Sequence, residues 1–179
     1  MLINRGHESV LEHEKISVLF VCDRGVSHEL VRHRIASFSQ ESTRYCNYST
    51  SKFDKNITFI LPEWCITLEE GEYSTLQPFS PVPDGRKSED HIWLHHCSLS
   101  EVNYNSLIKM GWQPQQSRSV LPNSLKTEIV VTANMREWRT IFKQRTSKAA
   151  HPQMRELMCP LLDELKNLIP VIFNDIYHE

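Results

Sequence analysis

Three arginines and one histidine lie close together in the segment from Arg32 to Arg44, which reads RHRIASFSQESTR. A guanidinium group is planar and donates paired hydrogen bonds, so it suits the oxygens of phosphate groups. Between the arginines, Gln40, Ser42 and Thr43 add neutral donors and acceptors of the kind that a base or ribose needs. A second interpretation is a solvated basic helix end, because the helix dipole stabilises cations there. Charge alone leaves both interpretations open.

The composition limits the classes of protein to which this chain can belong. It has 179 residues, with 20 Lys and Arg against 22 Asp and Glu, and a formal net charge of −2. A protein that coats nucleic acid is normally strongly basic, so the charge argues against a nucleic-acid partner. Five glycines are few, and the absence of G-x-x-x-x-G-K-[ST] and G-x-G-x-x-G excludes the common P-loop and Rossmann sites. We therefore expect a local cluster of cations to bind any anionic ligand.

No segment predicts export or membrane insertion. The longest apolar stretch, Ile16–Cys22, is too short to span a bilayer, and no N-terminal signal peptide is recognisable. The five cysteines are scattered and never form C-x-x-C, so we expect reduced structural thiols. These features predict a cytoplasmic protein, in the host cytoplasm if the source is viral, with no membrane partner.

The apolar pattern predicts the elements that must position this chemistry. The predicted strands are Lys15–Cys22, Ile57–Leu61 and Glu128–Thr132. The predicted helices are a short one within Leu2–His13, then Val26–Arg34, Leu99–Met110, Gln115–Leu121, Met135–Arg145 and Pro152–Leu168. A loop over Ser37–Ser51 and a surface excursion over Glu69–Asp90 are predicted between them. Because no regular βαβ rhythm emerges, we predict an α+β fold in one domain over residues 1–179.

Individual residues refine these elements. Asn134 is predicted to cap the helix that begins at Met135, Pro152 to occupy the first position of the next helix, and Ser9 to act as a local cap. Trp138, Ile141 and Phe142 recur at helical spacing, which is typical of a core-facing stripe. The apolar segment Pro170–Ile176 is expected either to close the core or to pack at a subunit interface.

Several segments, taken in order, resemble one family. The segment from Arg32 to Arg44 has the form R-H-R-x7-S-x-R, and residues 6–13 read GHESVLEH. Further along are RSVLP at 118–122, TANMREW at 132–138 with Arg145 beyond it, and HPQ at 151–153. Together these segments resemble the signature of the flavin-dependent thymidylate synthase (ThyX) family. The resemblance covers nearly the whole chain outside about residues 51–98.

The resemblance implies a mostly antiparallel sheet flanked by helices, in a homotetramer that binds FAD between subunits. The implied reaction makes dTMP from dUMP, with methylenetetrahydrofolate as carbon donor and NADPH as reductant of the flavin. The implied FAD-binding residues are Ser9, Arg32, His33, Arg34, Gln40, Asn134, Met135, Arg136 and Thr140. The implied dUMP-binding residues are Glu29, Leu30, Val31, Arg32, Gln40, Glu41, Ser42, Thr43, Arg44, Arg118 and Arg145.

Methylation of uracil at C5 requires carbanion character at that carbon, and two routes could provide it. Addition of a thiol at C6 needs an activated cysteine, and no cysteine here has a neighbouring motif that would lower its pKa. Deprotonation of N3 needs a fixed cation to stabilise the anion, and the resemblance assigns this catalytic role to Arg145. Ser42 lacks an adjacent base that would make it a nucleophile, so we assign it to substrate binding.

A cluster of metal-ligating residue types lies in the segment that the resemblance does not cover. His91 and His95 have helical i,i+4 spacing, with His96 and Cys97 beside them. They lack a matching second pair of ligands, so we expect no metal site.

The chain departs from the family pattern at several points. It begins almost at the histidine element, so the resemblance predicts a family member that is shortened at its N-terminus. Glu29 stands where glutamine is usual, His28 replaces a common arginine, and Thr140 stands where histidine or asparagine normally contacts the flavin. Two alternatives stay open: a non-catalytic flavin-binding, nucleotide-binding or interaction protein of the same fold, and a small single-stranded nucleic-acid binder that uses the Arg32–Arg44 loop.

Overall fold

The computed structural model describes residues 3–48, 56–73 and 88–178 of the chain. Within these ranges the strands are β1 (Lys15–Asp23), β2 (Ala36–Gln40) and β3 (Lys126–Asn134). The helices are α1 (Arg24–Leu30), α2 (Ser88–Lys109), α3 (Pro114–Ser117), α4 (Met135–Arg145), α5 (Pro152–Leu168) and α6 (Pro170–Phe173). Short 3₁₀ turns occur at Ile3–Arg5, Glu8–Glu12 and Arg118–Val120. The predicted α+β class is confirmed.

The chain divides into two compact units. The first unit comprises Met1–Val21, Val26–Gln40 and Glu128–Glu179. The second unit comprises Cys22–Gly25 and Glu41–Thr127. A single domain over residues 1–179 stays a prediction.

A three-stranded sheet with the order β1-β3-β2 organises the first unit. Strands β2 and β3 are antiparallel, and their register places Ala36 opposite Ala133 and Gln40 opposite Ile129. Because side chains alternate across a strand, Ile129, Val131 and Ala133 all point to one buried face of β3. This face forms one side of the core.

Helices α4 and α5 form the other side of that core. Trp138 and Phe142 are fully buried and stack with ring centroids 5.6 Å apart, and the ring of Phe173 meets Phe142 edge-on at 5.7 Å. The indole nitrogen of Trp138 donates to the carbonyl of Ile16 at 3.1 Å, which ties α4 to β1. The predicted core stripe is confirmed. Phe173 and Ile176 are both buried within this chain. Of the two alternatives for Pro170–Ile176, their burial agrees with the one in which the segment closes the core.

Both ends of α4 are set by local hydrogen bonds. The side-chain oxygen of Asn134 accepts from the backbone N–H of Glu137 at 2.8 Å, so the predicted cap is confirmed. At the other end, the hydroxyl of Thr146 donates to the carbonyl of Phe142 at 2.8 Å. Arg145 is therefore the last residue of a helix with defined limits, Met135–Arg145, as predicted.

The second unit is built around α2. One buried cluster contains Tyr48, Ile57, Tyr104 and Leu125, and a separate cluster contains Cys65, Leu68 and Leu94. Helix α2 ends at Lys109, and Gly111 just beyond it has a φ of +97°. The backbone N–H of Trp112 donates to the carbonyl of Leu107 at 3.0 Å. Glycine adopts this left-handed conformation without strain.

Some predicted boundaries are wrong. The predicted loop Ser37–Ser51 begins with strand β2, because alternate polar residues face outward while β3 supplies the backbone partners. The predicted strand Ile57–Leu61 makes only an isolated bridge, between Phe59 and Leu125. The helix predicted over Val26–Arg34 ends at Leu30. Ser9 is not a cap, since the residue before that 3₁₀ turn is His7 and it makes no side-chain capping bond.

Helix α2 starts earlier than predicted, at Ser88 rather than Leu99. Glu89 and Asp90 lie in its first turn, where the helix dipole favours acidic side chains. The predicted surface excursion Glu69–Asp90 therefore ends in a helix, and its residues 74–87 lie outside the described ranges. None of the helices within the described ranges is both long and apolar enough to cross a membrane.

Replacing the cap of α4 tests how far this helix depends on its first turn. Asn134→Ala removes the acceptor for the Glu137 N–H and should lower the free energy of unfolding by about 1 kcal/mol. Asn134→Asp keeps an acceptor in the same place and should retain most of the stability. Urea unfolding at neutral pH measures both values, and equal losses in the two variants would contradict the capping role.

Candidate functional site

The guanidinium of Arg145 lies at the centre of a hydrogen-bonded network in the first unit. Its Nη1 donates to Glu29 Oε2 at 2.7 Å, and its Nη2 donates to the backbone carbonyl of Glu29 at 3.1 Å. Its Nε donates to His33 Nε2 at 2.9 Å. The side chain is only 18% exposed. All three nitrogens of the guanidinium thus have partners, which fix the plane of the group.

His33 is held between a cation and a carboxylate. It is buried, and its Nδ1 lies 3.6 Å from Oε1 of Glu137. Because a guanidinium can only donate, His33 Nε2 must be the unprotonated nitrogen, and the proton of the neutral ring is on Nδ1. Burial, reinforced by the positive charge of Arg145, lowers the pKa of His33 from 6.5 to about 4. The ring is therefore neutral at physiological pH.

One member of this network, Glu137, is not among the residues predicted from the sequence. It lies in the first turn of α4, and burial raises the pKa of its carboxyl group. An acidic residue in the first turn of a helix is usually explained by the helix dipole, so no sequence signal separated it from an ordinary first-turn glutamate.

The arginines implied in FAD binding fall into two groups. Arg32 and Arg34 are exposed, and no carboxylate within the described ranges pairs with either of them. Arg136 is also exposed, but its Nη1 pairs with Glu12 at 2.5 Å and its Nε lies 3.7 Å from Glu8. The charge of Arg136 is therefore neutralised by Glu12 and Glu8, whereas no carboxylate in the described part of the chain neutralises Arg32 or Arg34.

The other implied FAD residues differ in accessibility. Ser9 and Thr140 are exposed, while the side chain of Met135 is buried in the core. Gln40 donates from Nε2 to the hydroxyl of Ser27 at 2.8 Å. The oxygen of Asn134 accepts at the helix cap, so its amide hydrogens are the part available to a ligand.

Of the implied dUMP residues in the first unit, Leu30 is fully buried and Val31 is exposed. The side chain of Leu30 therefore packs in the core of this chain, and only its backbone could contact the nucleotide. Glu29 joins Arg145 directly. Within the first unit, the structure thus brings together Glu29, His33 and Arg145 from the predicted set.

The remaining implied dUMP residues lie in the second unit. Thr43 is buried, and its hydroxyl accepts from Arg118 Nη1 at 3.0 Å. The hydroxyl of Ser42 accepts from the backbone N–H of Arg44 at 3.3 Å. The guanidinium of Arg44 lies 5.3 Å from the ring centroid of Tyr45, within cation–π range. Thr43 and Arg118 are thus the pair that the structure brings into direct contact here.

Glu41 also makes a contact in the second unit. Its Oε1 accepts from the hydroxyl of Tyr48 at 3.1 Å. Burial and the charge of Glu41 raise the pKa of the Tyr48 phenol, which therefore stays protonated. The carbonyl of Glu41 accepts from Arg24 Nη1 at 3.3 Å. These bonds hold Glu41 at the start of the segment that carries Thr43.

The cysteines and the histidine cluster complete the set of reactive side chains. Burial raises the pKa of Cys22 and of Cys97 to about 12, and it also raises the pKa of Cys65. His91, His95, His96 and Cys97 lie on α2. Over the ranges that the structure describes, no three metal-ligating side chains converge on one point.

Comparison with known proteins identifies the family of this chain. The family described as thymidylate synthase complementing protein matches residues 1–171. The chain belongs to this family. The family predicted from the sequence segments is therefore confirmed.

Several curated relatives of this family member carry the same name, flavin-dependent thymidylate synthase. The protein of Pyrococcus horikoshii is 33% identical over 175 residues, which are 96% of this chain and 64% of that protein. The protein of Corynebacterium aurimucosum is 32% identical over 178 residues, which are 98% of this chain and 68% of that protein. The protein of Geobacter sulfurreducens is 31% identical over 175 residues, which are 97% of this chain and 66% of that protein. The chain thus spans about two thirds of the length of these relatives.

The lowered pKa of His33 predicts how acid affects the stability of this family member. Between pH 6.5 and about 4 the unfolded chain binds a proton at His33 that the folded chain does not. Stability is therefore lost as the pH falls through this window, by about 3 kcal/mol from this residue, with no further loss below it.

The measurement compares the wild type with His33→Gln by urea unfolding at several pH values from 7 to 4. The difference in free energy of unfolding between the two proteins should shrink as the pH falls, because only the wild type carries His33. Titrating groups that are present in both proteins, Glu137 included, largely cancel in this difference. His13→Gln is the matched control, since His13 is exposed, and its curve should run parallel to that of the wild type. A parallel curve for His33→Gln would contradict the lowered pKa.

Proposed function

We propose that this chain carries the activity of a flavin-dependent thymidylate synthase, converting dUMP to dTMP by reductive methylation. Methylenetetrahydrofolate is the proposed carbon donor and NADPH the proposed reductant. The observation that carries the proposal is the fixed position of Arg145 at the end of α4, in a chain that matches the family over residues 1–171.

The state of the thiols favours a route without a cysteine nucleophile. A thiol adds to C6 of uracil only as a thiolate, and burial raises the pKa of Cys22, Cys65 and Cys97. These three groups are protonated at neutral pH. On a route that uses none of these three thiols, the electron density at C5 comes from the ring itself, after loss of the N3 proton.

Arg145 is the proposed catalytic residue for that step. A guanidinium that is already oriented stabilises a developing anion without reorganisation, and Arg145 is oriented by His33 and by the backbone carbonyl of Glu29. The carboxylate of Glu29 also bonds to Nη1. A pyrimidine anion must therefore compete with Glu29 for the same cation.

The donor set of the first unit fits the diphosphate of FAD. Arg32 and Arg34 are exposed, and no carboxylate within the described ranges pairs with them, so two guanidinium groups are available to phosphate oxygens. Ser9, Gln40, Asn134 and Thr140 offer neutral polar groups, and His33, Met135 and Arg136 complete the proposed FAD set. Bound FAD would supply the transfer of the one-carbon unit and of hydride, which side chains cannot perform.

Two exposed arginines of the second unit are proposed to contact the phosphate of dUMP. Arg118 and Arg44 are exposed cations suited to a phosphate. Thr43 holds Arg118 by a hydrogen bond, which limits the positions that its guanidinium can adopt. The full proposed set is Glu29, Leu30, Val31, Arg32, Gln40, Glu41, Ser42, Thr43, Arg44, Arg118 and Arg145.

An exposed apolar surface of the sheet supports self-association. Leu19 and Val21 of β1 are 58% and 49% exposed and point away from the face that carries Phe20. Ile35, just before β2, is 72% exposed. Exposed apolar side chains that adjoin one another, as Leu19 and Val21 do on β1, are typical of a contact surface. We propose a homotetramer that binds FAD between subunits, located in the cytoplasm where nucleotide and folate substrates occur.

The deciding experiment loads the full chain with FAD and measures NADPH oxidation with and without dUMP. We expect a yellow protein, an effect of dUMP on the oxidation rate, and dTMP once methylenetetrahydrofolate is added. A colourless protein that does not take up added FAD would contradict the proposal. Steeply salt-dependent binding to single-stranded DNA would instead favour a nucleic-acid binder.

Removal of the Arg145 guanidinium tests its catalytic role. Arg145→Ala should lower dTMP formation by about 100-fold or more, because the anion at N3 loses its cation, while flavin absorbance stays largely unchanged. Lys143→Ala is the matched control, since it removes an exposed positive charge near the same helix end. Loss of bound flavin in Arg145→Ala would show that the role is wrongly assigned.

Removal of the competing carboxylate tests how Glu29 affects the nucleotide. Glu29→Gln leaves a neutral group beside Arg145 and should tighten dUMP binding about tenfold, the value of one charge-assisted hydrogen bond. Isothermal titration of dUMP into the FAD-loaded protein measures this. Weaker binding in Glu29→Gln would show that the carboxylate contacts the nucleotide favourably instead of competing with it.

A further inference from the structure

The carboxylate of Glu137 is buried in the first unit, and no lysine or arginine within the described ranges pairs with it. Its side chain is 10% exposed. Within the described ranges its one ion-pair contact is with His33 Nδ1, at 3.6 Å. At the helix cap it is the backbone N–H of Glu137 that donates to Asn134 Oδ1, so this bond does not involve the carboxylate.

Burial of a carboxylate is unfavourable unless another group compensates, and here burial raises the pKa of Glu137. The dipole of α4 favours an acidic residue in the first turn, yet an exposed position in that turn would gain the same benefit without desolvation. Arg136, one residue earlier, has such an exposed position. The dipole alone therefore does not account for a carboxylate that faces inward.

The protonation of His33 supplies the missing reason. A neutral imidazole carries one proton, on Nδ1 or on Nε2. With the proton on Nε2, the ring would present a donor to the Nε–H of Arg145, and the 2.9 Å bond between them could not form. With the proton on Nδ1, the ring accepts from Arg145 and directs its N–H toward Glu137. Only this tautomer satisfies both neighbours.

We propose that Glu137 is a positioning residue for Arg145, because its carboxylate selects the Nδ1–H tautomer of His33 and thereby the acceptor that orients the guanidinium. Glu137 contacts neither substrate nor cofactor in this scheme. It acts through one intermediate ring, as carboxylates do on metal-bound histidines.

Loss of the Nδ1–H tautomer of His33 changes the hydrogen bonds that orient the Arg145 guanidinium. If His33 moves its proton to Nε2, the guanidinium loses the partner of its Nε, and its two remaining partner atoms both belong to Glu29. The plane of the guanidinium is then no longer fixed from two sides. The kinetic part of this inference rests on the proposed function, whereas the tautomer itself can be measured without it.

The first measurement uses the full chain labelled with ¹⁵N-histidine, without FAD. The ¹⁵N chemical shift separates a protonated ring nitrogen from an unprotonated one, and His33→Gln assigns the signal. We expect the proton on Nδ1 in the wild type and in Glu137→Gln, whose amide oxygen can still accept. In Glu137→Met, which has no acceptor, we expect a substantial Nε2–H population.

The second measurement is dTMP formation by the FAD-loaded variants. Glu137→Met should lower kcat about tenfold, by analogy with residues that act through a ligating histidine, and change KM for dUMP less. Glu137→Gln should restore most of kcat. Glu164→Met, on the exposed side of α5, is the matched control and should change neither quantity.

The outcomes separate the inference from the proposed function. An Nε2–H tautomer in the wild type would overturn the inference, as would an unchanged tautomer in folded Glu137→Met. If Glu137→Met does not fold, Glu137→Ala, which also lacks a side-chain acceptor, replaces it, and an unchanged Nδ1–H tautomer in the folded variant would again overturn the inference. A wild type with the expected tautomer but no dTMP formation would contradict the proposed function alone.

Discussion

The position of Arg145 depends on one helix whose ends and inner face are all fixed. Asn134 caps the first turn of α4, and Trp138 and Phe142 bury its inner face in the first unit. At 1.5 Å of rise per residue, the cap lies roughly 16 Å along the axis from Arg145. A frayed first turn or a repacked aromatic cluster would therefore move the guanidinium, even though neither touches it. The burial of two aromatic rings is thus the constraint on which the geometry of the charged network depends.

Within that frame, a neutral histidine lies between opposite charges. The carboxylate of Glu137 favours an imidazolium, whereas burial and the charge of Arg145 disfavour it, and the pKa of about 4 shows that the second pair of effects is larger. A charged ring would lose the lone pair that accepts from Arg145. The same desolvation that makes His33 costly to protonate therefore keeps it usable as an acceptor. Stability and site geometry depend on one protonation state.

The sequence predicted the parts of the fold that local chemistry determines. Helix α4 was predicted with both its limits, because Asn134 is a strong capping residue and the apolar stripe is regular. Strand β2 was predicted as loop, since its serines alternate with half-buried side chains and only the pairing with β3 makes it a strand. The site residues followed from resemblance, yet Glu137 was passed over. Its role depends on which nitrogen of His33 faces it, and a tautomer is a property of three-dimensional neighbours.

The near-neutral net charge reflects arginines that are paired with carboxylates of the same chain. Arg136 and Arg139 are matched internally, Arg136 by Glu12 and Arg139 by Asp175 at 2.6 Å, so they contribute little to an anionic ligand. Arg145 is matched as well, but by Glu29, whose carboxylate is more exposed than the guanidinium it binds. Exchange of that carboxylate for a ligand anion replaces one charge pair by another and leaves no buried charge alone. The full desolvation penalty of an unpaired cation is then never incurred. Under the proposed function, the carboxylate of Glu29 therefore keeps the partly buried Arg145 paired until the nucleotide anion replaces it.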